Sequence, residues 1–387
     1  MRVLHLPTTV GGNPSGLSRS LRELGIDSQV WTITQNYLEY PVDRVLIEDD
    51  DSGLLRALKV LRASSYVFGR WDVVHYNFGS TLFSRRFTAS GGVASRLAAS
   101  VLNGVATALQ KIELGILRAR RIPVFVHYQG DDARQGDYSL EHYDISIATQ
   151  VPPGYYTPAT DALKRRQIAR MARCAQAIYA VNPDLLDILP SSAIFVPYGH
   201  IPVREWEPYY TQAERERLVF AHAPSNRAVK GTDLILAAFE ELAREGYQFD
   251  VDLIEGVDNA EALRRYREAD VVIDQLYAGW YGGVALEAMA LGKPVVAYLR
   301  ESDFSHLPVE MVDDLPILTA SPTTITDTLR AILEMPRRDL VRRARESRAF
   351  AERWHDPMVI SSRIVADYRQ GRRALRRGRG RGRGDYE

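Results

Sequence analysis

Short apolar runs alternate with helix-patterned stretches along this chain, and that alternation restricts it to a parallel α/β architecture. Val3-Leu4-His5-Leu6 reads as a strand. A loop from Thr8 to Pro14 follows, and Ser15 is placed to cap a helix over Leu17, Leu21 and Leu24 that stops at Gly25. Ile26 to Ile33 is the next strand, which completes a β-loop-α-β unit. Trp71 to Tyr76, Ile122 to His127, Ala177 to Val181 and Ile194 to Tyr198 are further strands, and Gly92 to Arg121 and Leu163 to Cys174 are helical between them. After a Pro-containing linker from Gly199 to Pro208, the alternation starts again. Leu218–Ala221, Phe249–Ile254, Val271–Leu276 and Pro294–Tyr298 are strands, and Val229–Arg244, Ala260–Ala269 and Val284–Leu291 are helices. Arg338 to Gln370 closes the series as one or two helices, interrupted near Asp356-Pro357.

A chain of 387 residues exceeds one ordinary core, so two α/β series imply two Rossmann-like domains. The predicted organisation is an N-terminal domain over 1–199, a C-terminal domain over 200–350, a closing helix over 351–370 that packs back on the first domain, and an Arg/Gly-rich tail over 371–387 with no means of packing. Net formal charge is zero and names no partner, but from Leu54 to Arg121 eleven basic residues face two acids. This stretch and the tail permit contact with an anionic membrane surface, and equally a solvated basic face. No aromatic interleaving accompanies the tail, so no specific nucleic acid is expected. One cysteine, Cys174, rules out an internal disulfide and fits a cytoplasmic, reducing setting. The N-terminus reads as a strand and not as a signal peptide, and the longest uncharged run in the basic region, Leu97 to Gln110, is too short to span a membrane.

Ligands of open parallel sheets sit beyond the carboxyl ends of the strands, so the loops there hold the candidate site. Gly11-Gly12-Asn13 precedes a helix. Its glycines admit close approach of a ligand to backbone N–H groups, or serve only a tight turn. In the segment from His222 to Asp233, Ser225 and Asn226 precede Arg227 and Lys230 at a helix start, where a planar fork and a point charge suit a diphosphate. The stretch DQLYAGWYGGVALEAMALGKPVVA, from Asp274 to Ala297, carries Tyr281 and the Gly282-Gly283 loop ahead of an apolar helix with one acid, Glu287. A carboxylate there can accept two hydroxyls, as from a ribose; taken alone, it is an acid favoured by the helix dipole. Gln129-Gly130-Asp131-Asp132 offers polar groups to an acceptor, or is a hydrophilic turn. His75 and His127 lie on apolar strands and read as core histidines. The sequence has no His-Glu-x-x-His, Cys-x-x-Cys, Gly-x4-Gly-Lys-Ser/Thr or Gly-x-Ser-x-Gly pattern.

Taken together, the Gly11-Gly12 loop, Lys230-Gly231-Thr232-Asp233 and LEAMALGKPVVA from Leu286 to Ala297 resemble the retaining glycosyltransferases of the GT-B fold, of the family-4 type. The resemblance spans the chain to about residue 370. It implies two Rossmann-like domains facing a central cleft, with the C-terminal helices crossing back to the first. It also implies a nucleotide-diphosphate sugar donor held by Ser225, Asn226, Arg227, Lys230, Tyr281, Gly282, Gly283 and Glu287. Arg227 and Lys230 are the groups implied to stabilise the leaving diphosphate, with Glu287 on the ribose. The acceptor, a glycan or lipid-linked glycan of surface-polysaccharide synthesis, falls to Gly11, Gly12, Asn13, Gln129, Gly130, Asp131 and Asp132. No metal and no cofactor are implied. Two positions depart from the family pattern: Gly279 stands where it has a glutamate, and Gln129 where it has a histidine. A nucleotide-sugar epimerase of the same fold and a non-catalytic glycan-binding relative are the alternatives.

Overall fold

The computed structural model describes residues 1–35, 40–84, 92–210 and 215–377. Arg85, Arg86 and the tail from 378 onward lie outside the described residues. The first sheet comprises β1 (Arg2–Leu6), β2 (Asp27–Thr32), β3 (Arg44–Val45), β4 (Val73–Asn77), β5 (Val124–Tyr128), β6 (Ala175–Ala180) and β7 (Ile194–Phe195), in the order β3-β2-β1-β4-β5-β6-β7. The second comprises β8 (Leu218–His222), β9 (Phe249–Leu253), β10 (Val271–Ile273), β11 (Val295–Ala297) and β12 (Leu318–Thr319), in the order β12-β11-β10-β8-β9. Every pairing is parallel.

The helices between the first strands are α1 (Asn13–Glu23), α2 (Gly53–Ala63), α3 (Val93–Ala119), α4 (Gly136–His142) and α5 (Pro158–Ala172). The second series carries α6 (Arg227–Lys230), α7 (Thr232–Arg244), α8 (Asn259–Glu268), α9 (Gly283–Ala290), α10 (Val309–Asp313) and α11 (Ile325–Glu334); α12 (Arg337–Trp354) and α13 (Pro357–Arg377) follow. The expected class, two parallel α/β layers with flanking helices, is the one observed.

Each sheet reverses its winding once, between β1 and β4 in the first and between β8 and β10 in the second. Those reversals splay the connecting loops apart at the carboxyl edge and open a crevice there. The loops bordering the two crevices include the segment with Gly11-Gly12, the segment with Arg227 and Lys230, and the stretch from Asp274 to Gly283.

Alternating side chains fill both faces of the first sheet. Leu4, Leu6, Val74, Tyr76, Val126 and Tyr128 point to one side, onto Leu114 and Leu117 of α3. Val3, Val73, Phe125 and Tyr179 point to the other, where Leu17 and Leu21 of α1 meet Ile360, Ile364 and Tyr368 of α13. The last helix is therefore part of the first sheet's core, and each of its buried apolar side chains contributes about 1.5–3 kcal/mol to that contact. On the same face His5, His75 and His127 form a stack, with ring centroids 5.0 Å and 5.1 Å apart. His75 and His127 share a hydrogen bond of 3.0 Å between Nε2 and Nδ1, and Nδ1 of His75 bonds the hydroxyl of Tyr368. Burial, reinforced for His5 by its neighbour His127, holds His5 and His127 at about 3, and His75 also falls well below the ordinary histidine value. They are core histidines, as their apolar strands suggest.

Three local expectations change. Ser15 does not cap α1: the helix starts earlier, after Gly12 in a left-handed conformation (φ 68°), with Pro14 in its first turn. The expected helix from Val229 to Arg244 is two helices, because Gly231 turns left-handed (φ 79°) between α6 and α7. The tail expected to be unpacked from 371 onward is helical as far as Arg377. Gly371 lies against Phe125, where an added Cβ would sit 3.0 Å from the ring, and Arg372 pairs with Asp72. Absence of a side chain at Gly371 permits the approach that the charged composition obscures. The closing helix thus runs from Pro357 to Arg377, and residues 351–354 belong to α12.

Candidate active site

On the second sheet, α6 is a single turn whose Asn226 caps it, Oδ1 accepting from the backbone N–H of Val229 at 3.2 Å. That turn aims Lys230 inward. Its Nζ donates to Asp274 Oδ1 at 2.6 Å and to Gln275 Oε1 at 2.9 Å, and Asp274, fully buried, also accepts from the Gly282 N–H at 2.5 Å. Asp274 thus reaches further than its place at the end of β10 suggests: it fixes both the lysine and the glycine loop. An ammonium has three donors, and these contacts use two.

Gly282 has room for no large group, since a Cβ there would lie 3.5 Å from Lys230 Nζ and 3.3 Å from Asp274 Oδ2. Glu287, one turn into α9, is buried and accepts from Asn259 Nδ2 of α8 at 3.0 Å. Burial raises its carboxyl to about 7, offset in part by the Asn259 hydrogen bond and reinforced by Asp274. Lys230, Asp274, the Gly282-Gly283 loop and Glu287 therefore form one cluster at the crevice of the second sheet.

Other expected donor residues sit differently. Arg227 is exposed and paired with Glu255 at 2.9 Å and Asp233 at 3.0 Å. Ser225 is exposed just before the cap. Tyr281 is buried, with its hydroxyl 2.7 Å from His355 Nε2 and its ring against Trp280 and Phe350. It braces the glycine loop from beneath, a place its apolar ring prefers to the loop surface.

On the first sheet Gly11 and Gly12 are both left-handed (φ 64° and 68°). A Cβ on Gly11 would meet Gln129 Oε1 at 3.4 Å, so the two predicted acceptor loops touch. Gln129 is 7% exposed, yet neither Oε1 nor Nε2 has a hydrogen-bond partner among the described residues. A buried amide left unpaired costs free energy unless a ligand or water completes it. The rest of that loop is occupied by its own architecture. Asp132 accepts from the backbone of Gln129 at 3.0 Å and of Gly130 at 2.7 Å. Asp131 accepts from Tyr155, Tyr156 and Lys164. Asn13, expected at the acceptor, instead ties down the linker through Oδ1 and the Gly199 N–H at 3.1 Å.

Two residues that join the halves went unremarked in the sequence. His200, inside the linker, packs its backbone on Gly16 of α1, and its ring lies where a Cβ on Gly283 would be 3.7 Å away. Burial holds its imidazole at about 3, with His355 and Arg19 adding to the shift, and Nδ1 has no partner among the described residues. Arg300 lies against the glycine loop: a Cβ on Gly279 would come 2.6 Å from its Nη1. Its guanidinium pairs with Asp303 at 3.0 Å, donates to the Ile145 carbonyl at 2.9 Å and stacks 3.6 Å above Tyr143. Nothing local marks His200 or Arg300, since each acts through a partner more than a hundred residues distant in sequence. Among the described residues, no group of three or more His, Cys, Asp or Glu side chains is arranged to hold a metal ion.

No protein-family model and no curated protein matches the sequence. Solved structures do match. The catalytic domain of starch synthase IV from Arabidopsis thaliana, bound to ADP and acarbose, aligns over 96% of this chain and 99% of its own, with TM-score 0.60 and 11% identity. Sucrose-phosphate synthase from Thermosynechococcus elongatus aligns over 96% and 99%, with TM-score 0.58 and 14% identity. A glycosyltransferase from Rickettsia africae aligns over 95% and 97%, with TM-score 0.54 and 12% identity. At these identities the likeness establishes the fold: the chain has the GT-B architecture.

Proposed function

We propose that the protein is a retaining, metal-independent glycosyltransferase that moves a sugar from a nucleotide-diphosphate donor to a glycan or lipid-linked glycan, as in surface-polysaccharide synthesis. In this reading residues 1–199 take the acceptor, 200–350 the donor, and the closing helices brace one against the other at the cytoplasmic face of the membrane. The observation that carries it is the union of two half-sites at the fold's switch points. Lys230, Asp274, the Gly282-Gly283 loop and Glu287 lie on one side, and the Gly11 loop with the unpaired amide of Gln129 on the other. His200 passes between α1 and Gly283.

Glu287 takes the ribose hydroxyls. The free N–H of Lys230, the backbone of Gly282-Gly283 and the amino end of α9 meet the diphosphate. Arg227 is the second cation, recruited by exchange of Glu255 and Asp233 for phosphate oxygens. Ser225 and Asn226 line the approach, and Gly12, Gly130, Asp131 and Asp132 shape the acceptor side. The acceptor hydroxyl attacks the anomeric carbon on the face from which the diphosphate departs. The C–O bond to phosphate breaks as the new glycosidic bond forms, and the leaving phosphate oxygen takes the hydroxyl proton. Two tests apply. A thermal-shift screen against nucleotides and nucleotide sugars should give a rise equivalent to about 2.7 kcal/mol at a hundredfold excess over Kd. With an acceptor found, the product should keep the donor's anomeric configuration; an inverted product overturns the mechanism.

A further inference from the structure

An apolar cavity of about 570 Å³ opens between α2 and α3 on the first sheet, away from the donor cluster. Its walls are Ala57, Val60 and Leu61 of α2 with Leu102, Val105 and Leu109 of α3. The volume falls in the range of ligand-binding cavities. A second cavity of about 520 Å³ shares Ile33 and Arg56 with it and reaches the loop after β1 at Thr8 and Val10, next to Gly11. Hydroxyl-bearing side chains are concentrated here: Thr8, Thr32, Thr34, Ser80, Thr81 and Ser84 share its lining with apolar residues. Phe78, also in its wall, holds a left-handed backbone (φ 56°), a costly state for a bulky residue and one concentrated at ligand sites.

The junction between the two spaces carries a cation. Arg56 donates from Nε to the Asp51 carbonyl at 2.8 Å and from Nη2 to the Asp49 carbonyl at 2.7 Å, while the Asp51 carboxylate pairs with Lys59. Its charge is thus positioned by carbonyls where the two linings meet. On the same two helices Leu54 and Leu58 of α2 and Leu97 and Val101 of α3 are more than half exposed.

Apolar trough, fixed cation, hydroxyl-lined chamber and catalytic loop form one path. We infer that the α2/α3 cavity binds the aliphatic chain of a lipid-phosphate acceptor, with Arg56 at the phosphate and the glycan end in the chamber beside Gly11. This rests on the transferase reading for the role of the cleft. A protein partner laid over the exposed leucines would explain the outer surface, but not an apolar space that shares an arginine with a second cavity reaching the loop beside Gly11.

The test uses the full chain and n-alkyl phosphates of six to twelve carbons, below their micelle concentrations, titrated by calorimetry. The association constant should rise about fourfold per added methylene. Ala57→Trp, on the exposed wall of α2, should abolish that dependence on length. Val105→Asp, on α3, should do the same without adding bulk. Arg56→Met should weaken all lengths alike. An affinity flat with chain length, or a length dependence that survives both Ala57→Trp and Val105→Asp, overturns the inference. Nucleotide-sugar thermal shifts on the same variants separate the two readings. Normal donor binding with flat alkyl affinity sinks the groove alone, whereas length-dependent alkyl binding without any donor binding sustains the groove and removes the transferase.

Discussion

Glu287 gives the candidate site a pH signature. Its carboxyl sits at about 7 because it is buried, not far from Asp274, with one stabilising hydrogen bond from Asn259. A carboxylate that accepts two ribose hydroxyls must be ionised; the protonated form has lost an acceptor. Roughly a tenth of molecules carry that charge at pH 6 and roughly nine-tenths at pH 8. If only the charged form binds, the apparent Kd scales inversely with that fraction and should rise about tenfold from pH 8 to pH 6. The ligand must not titrate itself. A nucleoside diphosphate takes a proton near pH 6, like other terminal phosphates, so UDP-glucose or ADP-glucose is preferable, their diphosphate being esterified at both ends. The buried histidines do not interfere: His5, His127 and His200 lie at about 3 and His222 at about 4. Asp132, also at about 7 through burial, does titrate in this window. Glu287→Gln is therefore the deciding control: its amide oxygen can still accept from Asn259, and its affinity should be weaker and independent of pH. Calorimetry at pH 6, 7 and 8 on both proteins reads the result. A wild-type affinity flat across the range, or an equal slope in Glu287→Gln, refutes the assignment of Glu287 to the ribose.

Lys230→Ala should abolish transfer and also destabilise by about 3–5 kcal/mol, because it strands the buried Asp274 charge; pairing it with Asp274→Asn should restore the urea midpoint but not activity. Arg227→Ala should cut turnover while leaving the urea midpoint nearly unchanged, since its ion pairs are solvent-exposed. Gly279→Ala should cost about 1–3 kcal/mol in chemical denaturation, as it places a Cβ at φ 77° against Arg300. Histidines held below their ordinary value contribute stability that is complete above about pH 6.5 and lost as pH falls toward the folded values near 3. The raised carboxyls of Glu287, Glu113 and Asp132, at about 7, and of Asp303, at about 6, act oppositely, gaining stability as pH falls from those values toward the ordinary carboxylate range. Six histidines, His5, His75, His127, His200, His222 and His355, are held low and outnumber the four carboxyls, so the urea midpoint should drop from pH 6.5 to 4, and drop less in His127→Asn.

The two parallel α/β series and both glycine loops were legible because each strand is a local apolar run and each loop a local interruption. The edges were less so. α2, with its leucine-rich exposed face, β3, β12 and α11 escaped notice, since short edge strands and amphipathic helices resemble loops in a charged stretch. Within the site, Lys230, Gly282 and Glu287 converge as their order along the second series suggested. Arg227, Asn13 and Tyr281 do not present free groups to the cleft, because partners at Glu255, Gly199 and His355 claim them. Those partners are set by three-dimensional packing, to which spacing along the chain is blind. Gln129 shows the converse: read as a lost histidine, it is the one side chain of its loop whose polar atoms are uncommitted.

The return of α13 to the first sheet also orders events during synthesis. Val3, Phe125 and Tyr179 gain their cover from Ile360, Ile364 and Tyr368. Leu17 and Leu21 of α1 cover part of that face, and the rest stays open to water while the ribosome makes the remainder of the chain. The N-terminal half therefore emerges first but matures last, after residue 377 has cleared the exit tunnel. Until then its exposed strands need shielding by a chaperone or by transient contacts within the nascent chain. A chain cut before Pro357 would keep every cleft residue named above and still lack the wall that holds the acceptor half in shape.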